Sequence, residues 1–296
     1  MRATTPARTG PPEIVELELG PGLPALRVGS GERSLVYLPG LSLHPGPIAG
    51  MERRMTIPRL ELLGPAYTFF IVGRRVRPVG TTFAEMADDA IAAIEEIGGP
   101  VDLMGASTGG MLALHVAAAR PDLVRSLVLL ITGARMSDGG RRFGQEVVDA
   151  VRAGRWRTAF GTILTIGARN RAGRGVYRAM GWLLGPRLGG IPKDPTLLLT
   201  ELEGWIRVDA QPILASIPCP TRIIGGEDDP VFPPEIVLRT AAGIPNAKAV
   251  IVPDLAHDVS PAVLTDHVAP FLARAGVGSD TPQQYRQEVA KATDIG

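Results

Sequence analysis

The chain holds 296 residues, 45% of them apolar and 21% charged, which excludes a largely disordered protein. Thirty-one basic residues against thirty acidic ones leave a net charge of +1, so overall charge selects no partner. One cysteine and four histidines exclude an internal disulfide framework and argue against a multi-ligand metal centre. No apolar run approaches the roughly 18 residues of a membrane-spanning helix. Residues 1–13 lack the apolar block of a secretory signal, so a cytoplasmic protein without a membrane span is expected. Aromatics at 5% and the lack of a reading motif make nucleic acid a poor partner.

Residues 1–12 and 276–296 are polar or Pro- and Thr-rich, and are expected to be loose tails. Between them, short apolar runs alternate with helical patterns. Ser34–Leu38 reads as a buried strand closed by Pro39-Gly40, and Tyr67–Val72 as a second, rich in aromatic and β-branched residues. Thr82-Phe-Ala-Glu85 is a capping box, in which each polar side chain satisfies an orphan amide. It opens a helix with Ala87, Ile91, Ile94 and Ile97 on one face, stopped by Gly98-Gly99. Val101–Met104 is a third strand, Met111–Ala119 a helix ended before Pro121, and Ser126–Ile131 a fourth strand. Thr221–Ile224 and Ala249–Val252 complete the strands, and Ala262–Ala273 is a terminal helix. Continuous apolar strands alternating with helices define an α/β fold, a mostly parallel sheet covered on both faces. The rhythm breaks over residues 136–205, which lack convincing strands and carry helical pieces around Trp156–Phe160 and Leu197–Leu202. That stretch is expected to be a helical cap inserted into a core made of residues 13–135 and 206–275.

Gly105-Ala-Ser-Thr-Gly109 follows a strand and opens a helix. A serine on so tight a strand-to-helix turn needs small neighbours, because the two arms nearly touch. Its hydroxyl then stands at the carboxyl edge of the sheet beside a helix N-terminus, whose amides and partial positive charge suit a developing anion. Ser107 is therefore the candidate nucleophile. A serine hydroxyl needs a base, and the base needs a carboxylate to fix its tautomer. His115 lies inside the nucleophile's own helix and His267 in the terminal helix, and both read as structural. His257 falls on a loop just past the last strand, at the edge the serine occupies. Asp229 ends the strand Thr221–Ile224 within Glu227-Asp-Asp-Pro230, where Pro230 and Pro233 stiffen the chain. Asp228 is the reserve, and Asp138 a weaker one. Cys219, between two prolines, reads as a packed small residue.

The order Ser107, Asp229, His257 with the Gly-Ala-Ser-Thr-Gly turn resembles the α/β-hydrolase fold superfamily, from about Leu35 to Ala273. Asp229 stands where that family's G-x-x-D-x-x-x-P loop puts its acid, here Gly226 to Pro233. The resemblance implies an oxyanion hole built from the Thr108 amide and from the Leu41 amide. Here Pro39-Gly40 replaces the family's usual His-Gly pair. It implies a cofactor-independent serine hydrolase with no metal, acting on an ester or thioester through an acyl-enzyme. A lyase, a cyclase or a ligand-binding protein with a vestigial triad are the alternatives on the same scaffold. Ten arginines between Arg141 and Arg187 face only Glu146 and Asp149, a local charge of +8. That excess is either a solvated face whose arginines pair with the acidic remainder of the chain or meet water, or an attraction for an anionic or acyl-carrier-linked substrate.

Overall fold

Eight strands form one sheet in the computed structural model, which describes residues 12–275. The tails at 1–11 and 276–296 lie outside the described residues. In chain order the strands are β1 (Ile14–Leu19), β2 (Leu23–Val28), β3 (Arg33–Leu38), β4 (Tyr67–Val72), β5 (Val101–Ala106), β6 (Val124–Leu130), β7 (Thr221–Gly226) and β8 (Ala247–Val252). Their spatial order is β1-β2-β4-β3-β5-β6-β7-β8. The pairs β1–β2 and β2–β4 are antiparallel, and every pairing from β4 through β8 is parallel. The six strands expected from the sequence are all present. The hairpin β1–β2 is an addition. Val15-Glu-Leu-Glu-Leu19 alternates as a half-buried edge strand does, unlike the continuous apolar runs of the inner strands, and Pro24 sits inside β2.

Successive side chains on a strand point to opposite faces, so the sheet has two cores. Val36, Leu38, Leu103, Leu127 and Leu129 pack on one face beneath α2 (Phe83–Ile97) and α3 (Thr108–Ala119). Leu35, Met104, Val128 and Leu130 pack on the other, beneath α1 (Gly50–Glu61) and the C-terminal segment Ala269–Ala275. The capping box at the start of α2 is formed: the Thr82 hydroxyl accepts from the Glu85 amide at 3.2 Å, and Glu85 accepts from the Thr82 amide at 2.7 Å. Gly98 closes that helix in the left-handed conformation. Helix α1 escaped the sequence pattern because Pro58 lies inside it and no apolar stripe marks it.

Between β6 and β7 the chain forms α4 (Asp138–Arg152), α5 (Trp156–Leu164), α6 (Arg171–Leu188) and α7 (Thr196–Arg207), with no strand among the described residues. Helix α8 (Pro234–Gly243) follows β7. The inserted helices meet the loops at the carboxyl edge of the sheet. Arg169 pairs with Asp228 at 3.3 Å and with Asp254, and the His257 amide donates to the Ile166 carbonyl at 3.3 Å. No helix among the described residues is long and apolar enough to cross a membrane.

Candidate active site

Ser107 is the hinge between β5 and α3, and its backbone has φ 51° and ψ −119°, a region that non-glycine residues rarely enter. Its neighbours hold it there. The Ser107 amide donates to the Leu130 carbonyl at 2.9 Å, and its own carbonyl accepts from the Thr132 hydroxyl at 2.7 Å. The glycines around it are a steric requirement. A Cβ on Gly105 would lie 2.4 Å from the Gly109 carbonyl oxygen, and one on Gly109 only 2.1 Å from that of Leu38. One on Gly110 would meet the Thr132 side chain at 2.3 Å. These close approaches also explain why α3 begins at Thr108, three residues before the apolar pattern does. Gly109 and Gly110 are helical here because only they fit.

The loops after β7 and β8 bring the other two side chains to the serine. The His257 Nε2 lies 3.0 Å from the Ser107 hydroxyl, and its Nδ1 lies 2.8 Å from Asp229 Oδ2. The other carboxylate oxygen of Asp229 accepts from the Val231 and Phe232 amides, at 2.8 and 3.0 Å. Asp229 is therefore buried with both oxygens satisfied. Burial pushes its carboxyl up, but the His257 partner and the two amides outweigh that and hold it below the usual aspartate range. An ionised Asp229 fixes the Nδ1–H tautomer and leaves Nε2 free to accept from Ser107. The Phe232 ring completes the setting, stacked on the imidazole with centroids 6.0 Å apart.

The reserve acids are engaged elsewhere. Asp228 pairs with Arg169 of the insertion, and Asp138 pairs with Arg141. His115 is tied at Nδ1 to the Met111 carbonyl within α3, at 2.9 Å, and His267 falls in the π-helical turn Leu264–Val268. Cys219 is buried, as a packed residue would be.

Thr108 is the first residue of α3, so its amide has no partner one turn earlier in the helix. The loop after β3 passes directly beside the serine: a Cβ on Gly40 would stand 3.6 Å from Ser107 Cβ. With proline in place of histidine before Gly40, the anchor of this loop is Arg74, which sequence reasoning missed. Its guanidinium donates to the Pro39 carbonyl at 2.8 Å, the Gly40 carbonyl at 3.1 Å and the Ser42 hydroxyl at 3.2 Å. Glu201 of α7 accepts from the Ser42 amide at 3.2 Å and sits 3.7 Å from Arg74 Nε. No motif links positions 74 and 201. Only the place of Glu201 within the largely apolar run Leu197–Leu202 gave a hint of a buried ionisable group.

A strained serine at a strand-to-helix turn, hydrogen-bonded to a histidine that an aspartate holds, on a sheet of this order, defines a class. The Alpha/beta hydrolase family matches residues 34–274, and the chain belongs to it as an α/β-fold hydrolase. It is 28% identical over 224 residues to the pimeloyl-[acyl-carrier protein] methyl ester esterase of Neisseria meningitidis serogroup A, covering 74% of this chain and 67% of that one. Rv0554 from Mycobacterium tuberculosis has the same fold, with a TM-score of 0.69 at 21% identity over 88% of this chain and 99% of its own. So does a thermophilic esterase from Thermogutta terrifontis, with a TM-score of 0.64 at 22% identity over 89% of this chain and 99% of its own.

Proposed function

We propose that the protein is a cofactor-independent serine hydrolase that cleaves a carboxylic ester or thioester through an acyl-enzyme at Ser107. The observation that carries this reading is the unbroken hydrogen-bonded path from the Ser107 hydroxyl through His257 to Asp229. In the first half-reaction His257 Nε2 takes the hydroxyl proton as Ser107 Oγ bonds to the carbonyl carbon. Asp229 stabilises the imidazolium, and the Thr108 and Leu41 amides hold the oxyanion. The tetrahedral adduct expels the alcohol or thiol, which receives the proton from His257. A water molecule, deprotonated by His257, then attacks the acyl-enzyme and releases the carboxylic acid with Ser107 restored. Residues 136–205 act as a cap over this site, and the work is done in the cytoplasm, where a lone buried cysteine stays reduced.

Its substrate is a small ester or thioester with an anionic or acyl-carrier-linked portion. Two observations support this: the positive excess between Arg141 and Arg187, part of which is taken up by Arg141, Arg152 and Arg169 pairing with Asp138, Glu203 and Asp228, and the similarity to an esterase named for a carrier-linked methyl ester. A cavity of about 130 Å³ between the insertion and the acid loop adds to them. Phe143, Ile166 and Val231 line it, with Arg174 as its one charged residue. Turnover of p-nitrophenyl esters tests the first part: Ser107→Ala and His257→Ala should fall to background. Matched neutral and anionic esters compared across a salt series test the second. A preference for the anionic ester that fades with salt is expected, and equal, salt-insensitive rates would remove the charge argument.

A further inference from the structure

The loop that runs past Ser107 is held from outside by two buried ionisable residues that the acyl-transfer chemistry does not itself use. Arg74 follows β4 and is 6% exposed, and Glu201 lies in the middle of α7 and is 0% exposed. Groups this deep are costly unless their hydrogen bonds do something specific. Three of the guanidinium's bonds go to one four-residue loop, Pro39 to Ser42, and the Glu201 carboxylate takes that loop's last amide.

The consequence follows from peptide geometry. The Gly40 carbonyl and the Leu41 amide belong to one planar unit, and in a trans peptide the C=O and the N–H point in opposite directions. Among the described residues the only cis bond is Gly99-Pro100, so the Gly40–Leu41 unit is trans. With its carbonyl drawn to Arg74, the N–H of Leu41 is turned away from the guanidinium, while Gly40 lies against Ser107. A planar guanidinium fixes this orientation because it binds two successive carbonyls and a hydroxyl at once. An ammonium cannot reproduce that fork.

We infer that Arg74 and Glu201 are positioning residues that clamp the 39–42 loop, setting the direction of the Leu41 amide and tying the oxyanion loop to helix α7 of the insertion. The clamp rests on the reading of Ser107 as an acyl-transfer nucleophile. Catalysis would then respond to the position of α7: a shift of that helix moves the Ser42 amide through Glu201, and the Leu41 amide through Arg74.

The test uses the whole 296-residue chain with Arg74→Lys, Arg74→Ala and Glu201→Gln. Each is assayed for kcat and KM on p-nitrophenyl butyrate, for inhibition by a trifluoromethyl ketone, and for Tm. The ketone forms a hemiketal oxyanion on the serine, so its affinity reports the oxyanion donors, whereas KM for a neutral ester reports ground-state binding. Loosening one donor should lower kcat of Arg74→Lys by roughly 10–100-fold, short of the 10²–10³ seen when a donor is lost outright. The ketone should weaken in parallel, with KM within about threefold, and Glu201→Gln should show a smaller loss of the same pattern. Methylguanidinium should restore part of the activity of Arg74→Ala. Should Arg74→Lys fail to fold, Glu201→Gln decides by the same two measurements. Folded variants with wild-type kcat and ketone affinity, in an enzyme whose Ser107 turns over ester, would overturn the clamp alone. A wild-type protein without ester turnover would instead overturn the reading beneath it.

Discussion

Phe232 holds His257 in two ways: its ring stacks on the imidazole at an interplanar angle of 22°, and its amide donates to the carboxylate that bonds Nδ1. The side chain is fully buried at 0% exposure, between the sheet and the insertion, and it also lies against Trp205 of α7. One residue thus contacts both the His257 imidazole and the Asp229 carboxylate bonded to it.

Truncating that ring should therefore affect both stability and turnover. Phe232→Ala is expected to cost about 3–5 kcal/mol in urea unfolding, the range for a large buried aromatic. Phe232→Leu keeps most of the volume and the backbone amide but loses the stacking. It should unfold close to wild type while kcat drops about tenfold, roughly 1.4 kcal/mol in the barrier, with KM little changed.

Two glycine substitutions should move stability in opposite directions. A Cβ on Gly109 would sit 2.1 and 2.2 Å from the Leu38 and Pro39 carbonyl oxygens, both backbone atoms that cannot swing aside. Gly109→Ala should cost about 1–3 kcal/mol or more and lower kcat by displacing the loop beside Ser107. Gly175 lies on α6 with nothing within 4 Å of its added Cβ. Gly175→Ala should stabilise by about 0.5–1 kcal/mol through helix propensity, measured by the same unfolding titration.

The Asp229 carboxyl is held below its ordinary value of 3.8 despite the opposing effect of burial. A depressed folded-state value means that the folded protein keeps the charge where the unfolded chain takes up a proton. Its contribution to stability is therefore complete above 3.8 and is lost as pH falls through the lower, folded value. Unfolding titrations of wild type and Asp229→Asn should differ most near neutrality and converge on acidification. At neutral pH Asp229→Asn should lower kcat by about 10⁴, because an amide no longer enforces the Nδ1–H tautomer.

Cys219 provides a report on global unfolding. Burial raises its thiol to about 11, so at neutral pH it is protonated and shielded. Dithionitrobenzoate should leave the native protein unmodified and react fully only across the urea transition. Rapid reaction of the folded protein would contradict the packing at the start of β7.

Much of the fold was legible because the parallel strands are buried on both faces and read as unbroken apolar runs. Val101–Met104 and Tyr67–Val72 needed no context beyond their flanking glycines. The meeting of Ser107, Asp229 and His257 was legible for a different reason: glycines at 105 and 109 around a serine, an acid before a proline, and a histidine after the last strand each carry a local signature. Of what escaped notice, the β1–β2 hairpin carried a signal of another kind: at the edge of the sheet its glutamates point outward, so β1 alternates as Val15-Glu-Leu-Glu-Leu19 instead of forming an apolar run. The Arg74–Glu201 contact joins residues 127 positions apart through a loop that neither belongs to, and no spacing rule can anticipate a partner created by the fold.

If Ser107 is an activated nucleophile, it should react with an active-site label. A fluorophosphonate probe added to the native protein, followed by peptide mass spectrometry, should place one phosphonyl group on Ser107. His257→Ala should slow that labelling and Ser107→Ala should abolish it. An unlabelled wild-type protein, or a label that persists in Ser107→Ala, would contradict an activated Ser107.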